Sequence, residues 1–273
     1  MIRTSQERER TRATIAFMSR TLMLSSRVVE LCESEATPRQ EEFLLKVLSE
    51  EIDRRERGRK ARLLNRAGFP TFKSFEDYDF SEIRFPPTLS IEELLRTDFI
   101  PEKKNLVLYG GVGTGKTHMA IALGIAACEK GLSVRFLTVT ELVLKLTEAY
   151  KQGTLERLIR ELKQLDLLIL DEWGYVPVDR EGSQLLFRII ADSYESKSLI
   201  LTTNLEFSKW GGIFTDEQMA AAMIDRLVHH GHLLLFEAKS YRMMHALMRQ
   251  PGPGKLKPKT TVEAGSRLEQ GGA

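Results

Sequence analysis

Polar and apolar positions follow two different patterns along this chain. The first ~68 residues carry a helical period, with no glycine before Gly58 and Pro38 as their only proline. Within them, Thr37 reads as a helix cap, followed by Pro38 and an acidic first turn at Glu41 and Glu42. Phe43, Leu44, Val47, Leu48 and Ile52 form an apolar stripe at helical spacing. From about Phe69 the texture changes to short apolar runs: "NLVLY" (105–109), "SVRFLTV" (133–139), "DLLILD" (166–171), "SLILTT" (198–203) and "HLLLF" (232–236). Helical stretches separate these runs, at 116–130, 140–163, 180–193 and 216–229. Strands alternating with helices predict an α/β fold: a parallel five-stranded sheet with helices on both faces. After Gln250 apolar residues are sparse, and a disordered tail is expected. The predicted organisation is a helical N-terminal domain (1–68), an α/β domain (69–249) and a tail (250–273).

Composition narrows the class. Charged residues make up 29% and hydrophobic residues 42% of 273, the balance of a globular chain. The net charge is only +2, so affinity for nucleic acid has to come from local patches. Cys32 and Cys128 stand alone, without CxxC or zinc spacing, which fits a reducing cytoplasm. No run approaches the ~18–20 apolar residues of a membrane span. "TIAFMSRTLMLSS" is interrupted by Arg20 and preceded by "ERER", so secretion is not expected.

The chemistry begins at "GGVGTGKT", Gly110 to Thr117, which matches the phosphate-binding pattern G-x-x-x-x-G-K-[ST] between a predicted strand and a predicted helix. Its glycines let backbone N–H groups turn around a phosphate, and the helix N-terminus adds about half a positive charge. Gly110, Gly111, Val112, Gly113, Thr114, Gly115, Lys116, Thr117 and His118 are the expected nucleotide contacts. Lys116 is expected on the β- and γ-phosphates and Thr117 on Mg²⁺. A phosphate loop alone leaves kinases, switches and motors open. "LLILDE" narrows the choice, because an apolar strand delivers Asp171 and Glu172 at the end where ligands collect in open α/β sheets. Asp171 suits Mg²⁺, and Glu172 suits polarisation of an attacking water. "LILTTN" then ends a strand in Thr203 and Asn204, of which Asn204 is the better candidate for orienting that water or sensing the γ-phosphate.

With these elements in order the chain resembles the AAA+ ATPases, in particular the IstB/DnaC-like family. The resemblance is carried by "NLVLYGGVGTGKTHMAIALG", "LLILDEWGYVPV", "GSQLLFRIIADSYE", "ILTTNLEFSKWGGIF", "DRLVHHG" and "SYR", and reaches back to about residue 40. It implies an AAA+ P-loop ATPase using ATP and Mg²⁺, self-assembly into a homo-oligomer, binding to double-stranded DNA, and service to a cognate transposase. It also implies that Arg226, in "DRL", reaches the γ-phosphate held by a neighbouring subunit, and that Arg242, in "SYR", is a second nucleotide-sensing arginine. The alternative for Arg226 is a surface pair with Asp225. Two features depart from the pattern: Ser193 stands where an arginine is expected before Tyr194, and the 37 residues after Phe236 are too few for a full helical lid. The same core would serve a replicative helicase loader of DnaC type, and a P-loop kinase for a small metabolite is a more distant alternative.

His229, His230 and His232 lack a fourth ligand of suitable spacing and read as packing or hydrogen-bonding residues. Two basic patches are candidates for nucleic acid. One is Arg54, Arg55, Arg59, Lys60 and Arg62; the other is Lys145, Lys151, Arg157, Arg160 and Lys163, interleaved with Glu148, Glu156 and Glu161. Basic residues without aromatic interleaving suggest backbone contacts with little sequence readout.

Overall fold

The structure, a computed structural model, describes residues 5–174, 179–212, 214, 216–238 and 240–241. Three helices begin the chain: α1 (Ser5–Thr21), α2 (Ser26–Glu35) and α3 (Pro38–Ala67). The expected cap of α3 is present. Gln40 N–H donates to the Thr37 hydroxyl at 3.4 Å, and Thr37 N–H donates to the Gln40 side chain at 2.8 Å. Two donors that the helix cannot satisfy are thereby paired. The apolar stripe of α3 divides in two. Leu44, Leu48 and Ile52 pack with Ile15, Leu22 and Cys32 in a small core, while Phe43 and Val47 face solvent. One residue is a step of about 100° around a helix, so these are separate rows, and α1 and α2 cover only one. Further along α3, Leu63, Leu64 and Ala67 join the core of the α/β part, and Arg59 donates to the Gly131 carbonyl at 3.1 Å.

The following elements are β1 (Ile83–Arg84), α4 (Ile91–Leu95), β2 (Asn105–Gly110), α5 (Lys116–Glu129), β3 (Val134–Thr138), α6 (Val139–Lys151) and α7 (Leu155–Lys163). Then come β4 (Leu167–Trp173), α8 (Arg180–Ser193), β5 (Ser198–Thr203), a 3-10 turn at Phe207–Gly212, α9 (Glu217–His229) and β6 (Gly231–Phe236). The strand order is β1-β6-β2-β5-β4-β3. The five expected strands are present and parallel to one another, from β6 through β3. The sixth, β1, was not expected. It pairs antiparallel with β6, Ile83 opposite Phe236, and its two residues are too few to show an alternating pattern. The stretch 140–163 is two helices, interrupted after Lys151.

Successive residues of a strand point to opposite faces, and β4 buries both. Leu167 and Ile169 join Leu106, Leu108, Met119 and Leu123 on the α5 side. Leu168 and Leu170 join Leu142, Leu146, Leu186, Met223 and Leu227 on the side of α6, α8 and α9. Unbroken apolar runs are what a parallel sheet covered on both faces requires. The register sets Tyr109 of β2 beside Thr203 of β5, and Trp173 of β4 on the other side of Thr203. The phosphate loop, the acidic pair and the polar end of β5 therefore share one edge of the sheet.

Candidate nucleotide-binding site

The loop from Gly110 to Thr117 joins the last residue of β2 to the first turn of α5. Gly110 lies against β6, where a Cβ would sit 2.4 Å from the Phe236 carbonyl oxygen. Gly115 has φ +100, which side-chain-bearing residues resist, and a Cβ there would sit 2.9 Å from the Tyr78 hydroxyl. These positions need glycine for the loop to close as it does. The result presents a helix N-terminus and its loop amides to an anion. Lys116 is buried, and its ammonium donates to the carbonyls of Gly110 at 2.8 Å and Gly111 at 2.6 Å. A phosphate oxygen is a stronger, charged acceptor for the same donor. Thr114 donates its hydroxyl to the Gly111 carbonyl at 2.9 Å, and Val112 is exposed at the tip. Tyr241 N–H donates to the Gly113 carbonyl at 3.0 Å, which brings the chain to the loop just ahead of Arg242. Arg242 itself lies outside the described residues, as do most of the 37 residues after Phe236 that are too few for a full helical lid.

A side chain without a recognisable motif closes one side of the loop. Tyr78 donates its hydroxyl to the Gly115 carbonyl at 3.2 Å, and its ring lies 4.9 Å from that of His118. Burial pushes the Tyr78 phenol up, and the charge of Asp79 adds to the effect, so the hydroxyl keeps its proton. His118 Nε2 is 2.7 Å from the Ser74 carbonyl oxygen. The only signal in the sequence is the aromatic string "FEDYDF", in which nothing distinguishes Tyr78 from its neighbours.

Asp171 is buried near the end of β4 and accepts the Thr117 hydroxyl on Oδ1 at 3.0 Å. The Thr202 hydroxyl donates to the same oxygen. Glu172, next along the strand, is exposed and has φ +62. There the ladder is irregular. Leu170 pairs with Leu201 and Trp173 with Thr203, so three steps on β4 face two on β5. This is a β-bulge, a device that redirects side chains and recurs beside active sites. Thr203 donates its hydroxyl to the Trp173 carbonyl at 2.9 Å, and half-buried Asn204 follows β5 at the same edge. The structure thus gathers Lys116, Thr117, Asp171, Glu172 and Asn204 at one end of the sheet. A hydroxyl and a carboxylate 3.0 Å apart fit Mg²⁺, which takes hard oxygen donors and needs only one carboxylate when phosphates and water fill its shell.

Arg226 stands on α9. Its Nη1 donates to the Ala222 carbonyl at 3.0 Å, and its guanidinium lies 5.2 Å from the centre of the Phe187 ring. Among the described residues no carboxylate forms an ion pair with it. His229 meets the Tyr194 hydroxyl at 3.1 Å, and His232 meets the Thr88 hydroxyl at 3.0 Å, the hydrogen-bonding role expected of them. Ser193 is buried, with its hydroxyl on the Ile189 carbonyl at 2.7 Å. All ten candidate DNA-contacting residues are exposed. Arg54 forks onto Glu51, and Arg55 meets it through Nε, each with its nearest contact at 2.8 Å; together they hold its carboxyl down at about 2, and Arg59 is engaged with Gly131. Arg157 pairs with Glu161 at 3.5 Å and Lys163 with Asp192 at 3.1 Å.

The phosphate loop after β2, the acidic pair ending β4 and the polar end of β5 between these two strands make a P-loop nucleotide-binding fold. The family profile described as an IstB-like ATP binding protein matches residues 24–248. The chain belongs to this IstB-like family. An insertion sequence IS21 protein of Pseudomonas aeruginosa, named for ATP binding, is 39% identical over 206 residues, covering 74% of this chain and 76% of its own. An IS5376 counterpart from Geobacillus stearothermophilus is 35% identical over 209 residues, covering 77% and 83%. The crystal structure of DnaI superposes with a TM-score of 0.48 at 19% identity, over 66% of this chain and 93% of that one. Membership of the IstB-like family gives the loop its ligand, ATP.

Proposed function

We propose that this IstB-like protein hydrolyses ATP, assembles as a homo-oligomer on double-stranded DNA, and in that state assists a transposase in the cytoplasm. The observation that carries the hydrolysis reading is the direct bond from Thr117 to Asp171, with Glu172 as the next residue. Lys116 takes the β- and γ-phosphates, and Glu172 accepts a proton from the attacking water. Asn204 orients that water from the adjoining strand. Thr117 and Asp171 would hold Mg²⁺, which offsets phosphate charge in the transition state. Arg226 serves the active site of a neighbouring subunit. The transposase reading draws on relatives named for insertion sequences. No described helix is long and apolar enough to cross a membrane.

Two variants test the core of this reading. Lys116→Ala removes the buried ammonium of the loop, and tight binding of a fluorescent ATP analogue should be lost. Glu172→Gln keeps the loop intact, so ATP should still bind while phosphate release falls by roughly 10²–10⁴. Wild-type turnover in Glu172→Gln would remove Glu172 from the catalytic group.

A further inference from the structure

The acidic pair is held from the neighbouring strand by a side chain of "LILTTN" to which no role has been given above. Thr202 lies within β5 and is buried. A hydroxyl has one proton to give and lone pairs to accept with, and Thr202 spends both on consecutive residues. Its O–H donates to Asp171 Oδ1, and its oxygen accepts the Glu172 N–H at 3.1 Å. Because Asp171 Oδ1 also accepts the Thr117 hydroxyl, a continuous chain of hydrogen bonds runs from the first turn of α5 through Asp171 and Thr202 to the backbone of Glu172.

That chain ends where the backbone is least favourable. Glu172 sits at φ +62, a region a glutamate occupies only when its surroundings hold it there. With Asp171 it also forms the β4–β5 bulge, where the regular ladder is broken. The Thr202 hydroxyl supplies the Glu172 amide with an acceptor from within this irregular stretch, and so fixes the direction in which the glutamate leaves the strand. We propose that Thr202 is a positioning residue for hydrolysis, coupling the carboxylate that meets Thr117 to the conformation of the glutamate that prepares water. The proposal rests on the hydrolysis reading given above.

Valine keeps the shape of threonine and removes both hydrogen bonds; serine keeps them. In the full-length protein, Thr202→Val should lower ATP turnover about 10- to 100-fold, the scale of a misplaced catalytic group. Affinity for a fluorescent ATP analogue should change by less than about 3-fold, since the loop that binds it is untouched. Thr202→Ser should recover most of the turnover. Amide exchange at Glu172, followed by NMR, should accelerate in Thr202→Val and stay slow in Thr202→Ser. Turnover in Thr202→Val equal to wild type, or a loss shared equally by the serine variant, overturns the proposal. If wild-type protein itself shows no turnover, the hydrolysis reading fails, and the Glu172 amide then decides: unchanged protection in Thr202→Val overturns the positioning role. Should the valine variant not fold, Thr202→Ala takes its place in each comparison.

Discussion

Glu41 is the most buried carboxylate among the described residues, at 1% exposure, and it is held by two arginines of α1. Arg8 meets it through Nε at 3.0 Å and Nη2 at 3.0 Å, and Arg12 through Nε at 2.7 Å. Burial alone would raise its pKa; the two guanidiniums outweigh burial, and the net effect is a carboxyl below its ordinary value of 4.5. A carboxyl lowered in the folded state contributes stability that is complete above the unfolded value and is lost as pH falls through the folded one. At pH 7, Glu41→Gln should therefore melt lower than wild type, by the order of 2 kcal/mol for charge-assisted hydrogen bonds. That gap should close as pH drops below about 4.5. Far-UV circular dichroism melts between pH 3 and 7 measure it; a gap that stays constant across the range would mean that shape, not charge, is what Glu41 contributes.

At the scale of elements, legibility in the sequence depended on whether the partners are close along the chain. The phosphate loop and the cap of α3 are contiguous strings, and both were readable with their residues. The acidic pair was readable because it ends an apolar run. Thr202 acts across 31 residues and Tyr78 across 37, through strand register and loop packing that no local pattern encodes. Glu41 read as an ordinary first-turn acid because its burial is decided by α1, and the division of the α3 stripe by which row α1 and α2 cover. The same neighbours qualify the basic patches. Arg59 is tied to Gly131, so reversing it would disturb packing as well as charge, whereas Lys60 and Arg62 are exposed without an ion pair among the described residues. If α3 lies on DNA, Lys60→Glu with Arg62→Glu should weaken binding to all sequences alike. The slope of log K against log[salt] should then become shallower by about 0.9 for each phosphate that the protein no longer neutralises. The counterpart on α6 and α7 is Lys145→Glu with Lys151→Glu. Filter-binding isotherms at several salt concentrations separate the patches, and weakening confined to one DNA sequence would rule out backbone recognition.

At the scale of the whole molecule, the question is whether one chain contains a complete active site. The phosphate loop, the acidic pair and Asn204 lie at one sheet edge, while Arg226 reaches Ala222 and Phe187 on the α8–α9 side. A cation resting on an aromatic ring near the surface contributes only about 0.5–1 kcal/mol, so local stability does little to explain an arginine there. Placed against a γ-phosphate in a second subunit, the same guanidinium could raise the rate by roughly 10³–10⁵. Arg226→Ala should accordingly keep its melting temperature and its ATP affinity, since its own loop is intact, yet lose hydrolysis. Mixing distinguishes a role across the interface from one within the chain. A subunit carrying Arg226→Ala retains Lys116, and a subunit carrying Lys116→Ala retains Arg226. Neither alone can form a site with both groups, but adjacent copies of the two can form one. Phosphate release measured over a range of mixing ratios should rise above either variant alone and peak at intermediate ratios. Co-assembly is checked by pulling down one tagged variant with the other. If the variants co-assemble and turnover stays at the level of the separate proteins, Arg226 works within its own chain, as a support for α8 and α9.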